Sequence, residues 1–285
     1  MSLEAIYVTR HGFRSSWSVD PLTGVYSAAF IRSPTGIPAD PPLTSHGVAQ
    51  AKEMGQHLMT LDPPIDAVYS SPYYRCLQTI TPFVELKQEQ LQGELNTKDA
   101  TAATIRPEYG LCEFFGAAPF DHPIPASPKR LKALFPAYDE SYASALTPSR
   151  KGETIQDLYR RVAAAVQAII DRCDAEGKRA VVLCTHAAVV IALGRVLTGR
   201  IPDSVETEDF GAFTCGLSVY RRQGMQNGKL ADQMTLAHRQ QQGTDKQITA
   251  DESESPISEA GSVGGWQCEL DSDCSFLSSG EERGW

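Results

Sequence analysis

Ile6-Tyr7-Val8-Thr9-Arg10-His11-Gly12-Phe13-Arg14 is the stretch on which the fold turns. Its first four residues are β-branched or apolar and read as a buried strand, which breaks at Gly12. Arg10 and His11 therefore stand at the carboxyl end of a strand, where open α/β sheets bind their ligands. Histidine can act as a nucleophile, and its charge is tunable near neutral pH. Arginines beside it supply forked donors that match phosphate oxygens. The pattern fits a site that forms phosphohistidine. A surface turn with chance basic residues is the alternative, and the rest of the chain has to decide.

The same arrangement recurs twice. Ile65-Asp66-Ala67-Val68-Tyr69 reads as a second buried strand, followed by Ser70-Ser71-Pro72 and a helix carrying Arg75 in its first turn. Pro72 suits a helix start, and a helix start offers free N–H groups to an anion. Arg179-Ala180-Val181-Val182-Leu183-Cys184 reads as a third strand. Thr185-His186 follows at once, and a helix continues through Val189, Val190, Leu193 and Leu197. A lone arginine is ordinarily a surface residue and a lone buried histidine ordinarily structural. Three strand-to-helix junctions carrying Arg10 and His11, Arg75, and His186 argue instead for one shared site.

Between these junctions, Ser15 to Pro42 is rich in Ser, Pro and Gly and reads as a long loop forming part of the site's wall. Thr44 or Ser45 caps a helix whose apolar residues Val48, Ala51, Met54, Leu58 and Leu61 recur at helical spacing. His46 and His57 fall near its ends as surface residues. Gln88 to Ala102 is polar and reads as a loop. In Ile105 to Phe115, Glu113 sits among apolar neighbours, which predicts a raised carboxyl pKa suited to general-acid work. Glu108 is a rival that spacing does not eliminate. Ala117 to Lys151 is rich in proline and aromatics, with a short helix near Leu131, Leu134, Phe135 and Tyr138, and reads as a cap. Gly152-Glu153-Thr154 opens the longest helix, with the stripe Ile155, Leu158, Val162, Ala165, Val166, Ile169 and Ile170. Arg160 and Arg161 are placed on its solvent face. Strands are expected over Phe213 to Arg221 and near Leu230 to Leu236.

The chain has 285 residues, 41% of them apolar, and a net charge of −9. Ten acids against Lys246 and Arg283 give the segment from Gln241 a charge of −8, so the body before it is close to neutral. That gives no electrostatic reason to expect direct nucleic-acid binding. The seven scattered cysteines form no CxxC pair, and no zinc or other metal is expected. They suggest a reducing compartment, cytoplasmic or nuclear. Glu4 interrupts any secretory signal, and no stretch approaches a membrane span. The expected organisation is one domain over 1–240 with a cap insertion at about 114–151. An acidic, disordered linker is expected over 241–265, where Ser253, Ser255 and Ser258 are possible phosphoacceptors. The tail 266–285 holds Trp266, Trp285, Phe276 and Leu277, costly to leave in water, so it is expected to dock on the domain or on a protein partner.

Thr9-Arg10-His11-Gly12, Ser70-Ser71-Pro72 with Arg75, Leu111-Cys112-Glu113, Gly152-Glu153-Thr154 and Thr185-His186 together resemble the histidine phosphatase superfamily, in its phosphoglycerate-mutase-like branch. Each motif alone is weak, and the ordered set is specific. The resemblance covers roughly Ala5 to Arg221. It implies a three-layer α/β/α sandwich on a mostly parallel sheet and no cofactor. It implies His11 as the phosphoryl-accepting nucleophile, Arg10 and Arg75 as phosphate ligands, His186 as the second pocket histidine and Glu113, rather than Glu108, as proton donor. The substrate would be a phosphorylated small molecule or a phosphoprotein. Mutases of this branch usually carry Glu and later Asn where Phe13 and Trp17 stand, which makes phosphoglycerate mutase activity the weaker expectation. Arg14, a further phosphate ligand by the same resemblance, is similar to Sts-type phosphatases and to the phosphatase domain of the small tau subunit of fungal transcription factor IIIC. The stretch Phe276 to Glu282 also looks like that subunit. This implies a phosphatase, with a phosphatase-like interaction subunit of a transcription complex as the alternative. Phe13, Trp17, Phe114 and Phe115 are expected at the pocket entrance, where they would suit a phosphotyrosine or another aryl phosphate.

Overall fold

β1 (Ala5–Arg10) lies inside a six-stranded sheet and is buried along its whole length. The computed structural model describes residues 2–28, 30–93, 103–224 and 263–283. The other sheet strands are β4 (Ala67–Ser70), β5 (Ile105–Pro107), β6 (Ala180–Thr185), β7 (Leu217–Arg222) and β8 (Trp266–Asp273). Their order is β5-β4-β6-β1-β7-β8. β1, β4, β5 and β6 run parallel, and β7 and β8 add an antiparallel edge.

Register does the work of assembling the site. Arg10 pairs with Thr185, and Ser70 pairs with Cys184. The residues that follow these strand ends, His11, Ser71 and His186, therefore emerge side by side at one edge of the sheet.

Side-chain alternation along the strands divides the core. Ile6 and Val8 of β1 and Val181 and Leu183 of β6 face α4 (Ile155–Ala175) and α5 (Ala187–Thr198). Ala5 and Tyr7, with Val182 and Cys184, face α1 (Ser45–Leu58), α2 (Tyr74–Gly93) and α3 (Pro128–Leu134). The result is the three-layer α/β/α sandwich. Thr44 caps α1 by accepting from the Gly47 amide. Thr154 and Asp157 form a reciprocal capping box at the start of α4.

Four local expectations change. The segment 15–42 is not a plain loop, because β2 (Trp17–Val19) and β3 (Tyr26–Ala28) pair as a hairpin. Strands of three residues show no usable periodicity. The Asp20 carboxylate accepting from the Leu22 amide and Gly24 at φ +70° make the turn between them. Gln88 to Gly93 continues α2, because a polar sequence on an exposed helical end breaks no helical hydrogen bond. Arg161 is buried rather than on the solvent face of α4, for a reason that belongs to the site. The tail from Trp266, expected only to dock on the domain or a partner, enters the sheet itself: Trp266–Asp273 is an edge strand, with Trp266 buried against the α4–α5 layer. The rest of the loop expected to Ala102, the strand expected near 230–236, the linker serines, residues 241–262 of the expected linker and Trp285 lie outside the described residues.

All seven cysteines are free thiols. Among the described residues, no helix is long and apolar enough to cross a membrane.

Candidate active site

His11 is 1% exposed. Its backbone N–H donates to the Thr185 carbonyl at 2.9 Å, tying the end of β1 to the end of β6. Its Nδ1 lies 2.9 Å from the Gly12 carbonyl oxygen, which can only accept. The proton therefore sits on Nδ1, and Nε2 carries the lone pair. Burial is the largest influence on the ring, and the charges of Arg75, Arg10, His186 and Arg14 add to it. Together they hold its pKa well below 6.5. His11 is a neutral imidazole with its lone pair available.

The turn after His11 is held from three sides. The Gly12 amide donates to Thr79 Oγ1 on α2, and the Phe13 amide donates to Gln50 Oε1 on α1. The Phe13 carbonyl accepts from the Thr44 amide. α1 approaches so closely that a Cβ on Gly47 would lie 2.0 Å from the Phe13 oxygen, so this position requires glycine.

Arg75 is fully buried at the start of α2. Nη1 donates to the Ala39 carbonyl at 3.1 Å and to Asp40 at 3.3 Å, and Nη2 donates to Glu113 Oε2 at 3.0 Å. Asp40 also accepts from the Tyr74 amide. Burial raises Asp40 to about 6 against the pull of Arg75. Arg10 and Arg14 are both drawn down to about 10, chiefly by burial, with the Arg75 charge acting in the same sense and Glu113 opposing it. The Nε–H groups of Arg14 and Arg75 are buried and meet no acceptor within the protein. Three guanidiniums facing two carboxylates leave an excess of positive charge. Aimed donors and net cation together describe an anion site.

His186 is fully buried between β6 and α5. Nε2 lies 2.8 Å from Ser71 Oγ, and Nδ1 lies 3.3 Å from Glu113 Oε2. Burial opposes a charge on this ring, but the Cys76 sulfur and the Glu113 carboxylate outweigh it and raise its pKa. A doubly protonated ring donates to Ser71 and Glu113 at once. Arg75 Nη2, 3.1 Å from Nδ1, then shares Glu113 Oε2 with it. The rings of His11 and His186 meet edge to face, 5.4 Å between centroids.

Glu113 overturns one expectation. Burial does push its carboxyl up, but His186 and Arg75 outweigh that push and hold it well below the usual carboxylate range. Apolar neighbours in sequence said nothing about the cations across the fold. The rival Glu108 is fully buried elsewhere. It accepts from the Gly110 and Ala145 amides and from the hydroxyls of Tyr142 and Ser144, stapling its own loop to the cap. Arg161 explains how Glu113 is presented. Its Nε and Nη2 donate to Glu153 at 2.6 and 2.7 Å, and its Nη1 donates to the carbonyls of Gly110 and Cys112. A charge can be buried on the α4 stripe because its partner carboxylate and two carbonyls are buried with it.

His11, Glu113 and His186 each offer a ligand atom within 4.8 Å of the others. By distance they could hold a cation. Arg10, Arg14 and Arg75 make a dication unfavourable there and suit a phosphoryl anion instead.

The expected aromatic entrance forms only in part. Trp17 packs on Phe115 (6.0 Å) and on Tyr26 (5.4 Å), and Phe115 stacks on His122 (4.9 Å, 10°). The Arg14 guanidinium lies 5.8 Å from the Trp17 ring. A cavity of about 90 Å³ beside Glu113 is lined also by Tyr73, Phe115, His122 and Ile124. Phe13 instead meets His46, and Phe114 packs against the core on the α4–α5 side.

The family model described as histidine phosphatase superfamily (branch 1) matches residues 6–231. The chain belongs to the histidine phosphatase superfamily. It is 30% identical over 292 residues to the transcription factor tau 55 kDa subunit of Saccharomyces cerevisiae, an alignment covering 100% of this chain and 59% of the relative. It is 30% identical over 177 residues to the ecdysteroid-phosphate phosphatase of Drosophila melanogaster, covering 60% of this chain and 22% of that protein. The chain thus spans well under two thirds of the curated relatives it matches. The crystal structure of the ecdysone phosphate phosphatase of Bombyx mori in complex with tungstate superposes with a TM-score of 0.54 at 22% identity, covering 76% of this chain and 89% of that one. That likeness shows a shared fold.

The structure brings Arg10, His11, Arg14, Arg75, Glu113 and His186 of this superfamily member into one charge-coupled cluster. Ser71 of the Ser70-Ser71-Pro72 motif joins them, as do Asp40, Gln50 and Thr79, which had not been singled out as site residues. Thr79, one helical turn after Arg75, carried a faint signal. Asp40 and Gln50 carried none, because their roles depend on contacts made 35 and 37 residues away.

Proposed function

We propose that this protein is a phosphomonoesterase that works through a phosphohistidine intermediate. The observation that carries the reading is a buried, neutral His11 whose Nδ1 proton is held by the Gly12 carbonyl, set beside Arg10, Arg14 and Arg75. The His11 Nε2 lone pair attacks phosphorus, and the bond from phosphorus to the ester oxygen breaks. The arginines bear the charge on the non-bridging oxygens. Glu113 delivers a proton to the leaving oxygen. Ionised in the free site, it takes up that proton from solvent when a dianionic phosphoryl group engages Arg75 and sets negative charge beside it. A water then attacks the phosphohistidine, returns its proton to Glu113 and releases inorganic phosphate as the P–N bond breaks. His186, donating to Glu113 and Ser71, steadies the acid and adds positive charge. The cavity lined by Tyr73, Phe115 and His122 beside Glu113 favours a flat apolar leaving group, such as a phenol or a tyrosine side chain.

Turnover of p-nitrophenyl phosphate by the intact protein and by His11→Ala is the test. Activity that vanishes in the variant is the expected result. Activity that survives it excludes this mechanism.

The 30% identity along the whole chain to a transcription factor subunit favours a second role, as a nuclear interaction subunit. Co-purification of the intact chain and of His11→Ala from fungal nuclear extract separates the two. Partners retained by both proteins with turnover lost in one would show that binding does not depend on catalysis. Absence of transcription factor partners from both would remove the second role.

A further inference from the structure

We infer that the segment following β8 is part of the phosphate pocket, with the Arg283 carbonyl holding Arg10 and Glu282 acting as a positioning residue for the turn at Gly12–Phe13. The inference rests on Arg10 being a phosphate ligand, as in the reading above.

The segment is fixed on the outer face of α1. Cys274 and Leu277 are buried in the α1–α2 layer. The Phe276 ring stacks on His57 at 4.2 Å, with 5° between planes. The Ser278 amide and hydroxyl both donate to the Glu53 carboxylate, at 2.7 and 2.6 Å. These contacts run the chain back along α1 toward its first turn, which is the turn that holds Phe13.

There the last described residues enter the site. The Glu282 carbonyl accepts from the amide of the buried Thr214 at 2.8 Å, and the Cys215 amide donates to the Arg10 carbonyl. Arg10 Nη1 donates to the Ala212 carbonyl at 2.7 Å and to the Arg283 carbonyl. Both hydrogens of that nitrogen are committed to backbone oxygens, one from the 212–215 loop and one from the C-terminal segment. A planar guanidinium with one nitrogen fixed at two points has its other N–H directions fixed as well.

Glu282 also controls the turn. Its carboxylate accepts from Gln50 Nε2 at 2.9 Å and meets His46 Nε2 at 2.6 Å. Gln50 is 1% exposed, and its oxygen accepts from the Phe13 amide at 3.0 Å. A primary amide can present oxygen or nitrogen to either side. The Glu282 carboxylate can only accept when ionised, so together with Thr214 Oγ1, which accepts from the same nitrogen at 3.2 Å, it keeps the Gln50 nitrogen outward and the oxygen on Phe13. The relay from Glu282 through Gln50 to Phe13 spans more than two hundred residues of sequence and ends one peptide from Gly12.

The experiment uses the full chain and reads inorganic phosphate binding by calorimetry, alongside the inhibition constant of phosphate and the KM and kcat for p-nitrophenyl phosphate. Glu282→Ala is expected to weaken phosphate binding and raise KM about tenfold, the scale of one hydrogen bond to a charged group. Glu282→Gln is expected to restore most of the binding, because its amide oxygen still accepts from Gln50. A double-mutant cycle with Gln50→Met keeps the test sharp if one variant melts early: Glu282→Ala should add little once Gln50 is gone. Phosphate affinity unchanged in Glu282→Ala overturns the inference. So does tighter binding, which would show the segment competing with the anion rather than shaping its site. A chain that binds phosphate without turnover defeats the phosphatase reading while leaving this comparison decisive. A chain that binds no phosphate defeats the inference itself.

Discussion

Arg75 Nη2 and Glu113 Oε2 lie 3.0 Å apart, so the expected proton donor is ion-paired to an expected phosphate ligand. Under the proposed mechanism, this pair couples substrate binding to the protonation of the acid. A phosphoryl dianion on Arg75 offsets one of the cations that, after His186, hold the carboxylate ionised. Glu113→Gln should therefore leave phosphate binding nearly intact and reduce turnover according to the leaving group. Alkyl phosphates, whose alkoxide needs a proton, should slow by about 10² to 10⁴-fold, and p-nitrophenyl phosphate by far less. Turnover measured across a series of leaving-group pKa values checks this; an equal loss along the series would remove Glu113 from the acid role.

The two histidines should titrate on opposite sides of the ordinary imidazole value of 6.5. His11 is depressed by burial and by four neighbouring cations, so its ring stays neutral as pH falls through 6.5 and protonates only below it. His186 is raised by Cys76 and Glu113 against burial, so it stays charged through 6.5 and loses its proton only above it. Nitrogen-15 chemical shifts of labelled histidine, assigned with His11→Ala and His186→Ala, read both directly. A His11 midpoint above 6.5 would contradict the neutral nucleophile.

Arg161 joins Glu153 to the carbonyls of Gly110 and Cys112, just before Glu113. Arg161→Ala strands a buried carboxylate and two carbonyls, and should destabilise the chain by about 3 to 5 kcal/mol. Denaturant midpoints at constant m-value check this. A loss under about 1 kcal/mol, the scale of an exposed pair, would show that the pair is solvated.

Trp17 and Phe115 meet at 6.0 Å, whereas Phe13 meets His46. Trp17→Ala and Phe115→Ala should raise KM for aryl phosphates about five- to tenfold relative to alkyl phosphates, the scale of one aromatic contact. Phe13→Ala should leave that ratio in place. Equal effects of all three on both substrate classes would remove the aromatic cluster from substrate choice.

The sheet and the reactive cluster were legible because their signals are local. Val8-Thr9 before Arg10-His11, Ala67-Val68-Tyr69 before Ser70, and Leu183-Cys184 before Thr185-His186 each announce a strand end within a few residues. Parallel strand ends gather on one edge, and nothing more is needed to bring His11, Arg75 and His186 together. The hairpin at Trp17–Val19 and Tyr26–Ala28 was not legible, because three-residue strands are specified by their turn and by Phe115 against them, not by periodicity. Charge alone misplaced Arg161, since whether a cation is buried depends on Glu153 and on carbonyls from another loop.

The chain's own order of residues, read with the family resemblance, pointed to His11, Arg10, Arg14, Arg75, Glu113 and His186 as the expected site, and determined the sandwich that gathers most of them. Tertiary structure alone decided their protonation and their supports. A pKa is set by every charge within a few ångströms, and Glu113 lies next to cations from β6 and α2 that its sequence neighbours do not reveal. Likewise, Arg283 reaches Arg10 across 273 positions, a contact brought about by the pairing of β8 along β7 and the docking of 274–278 on α1.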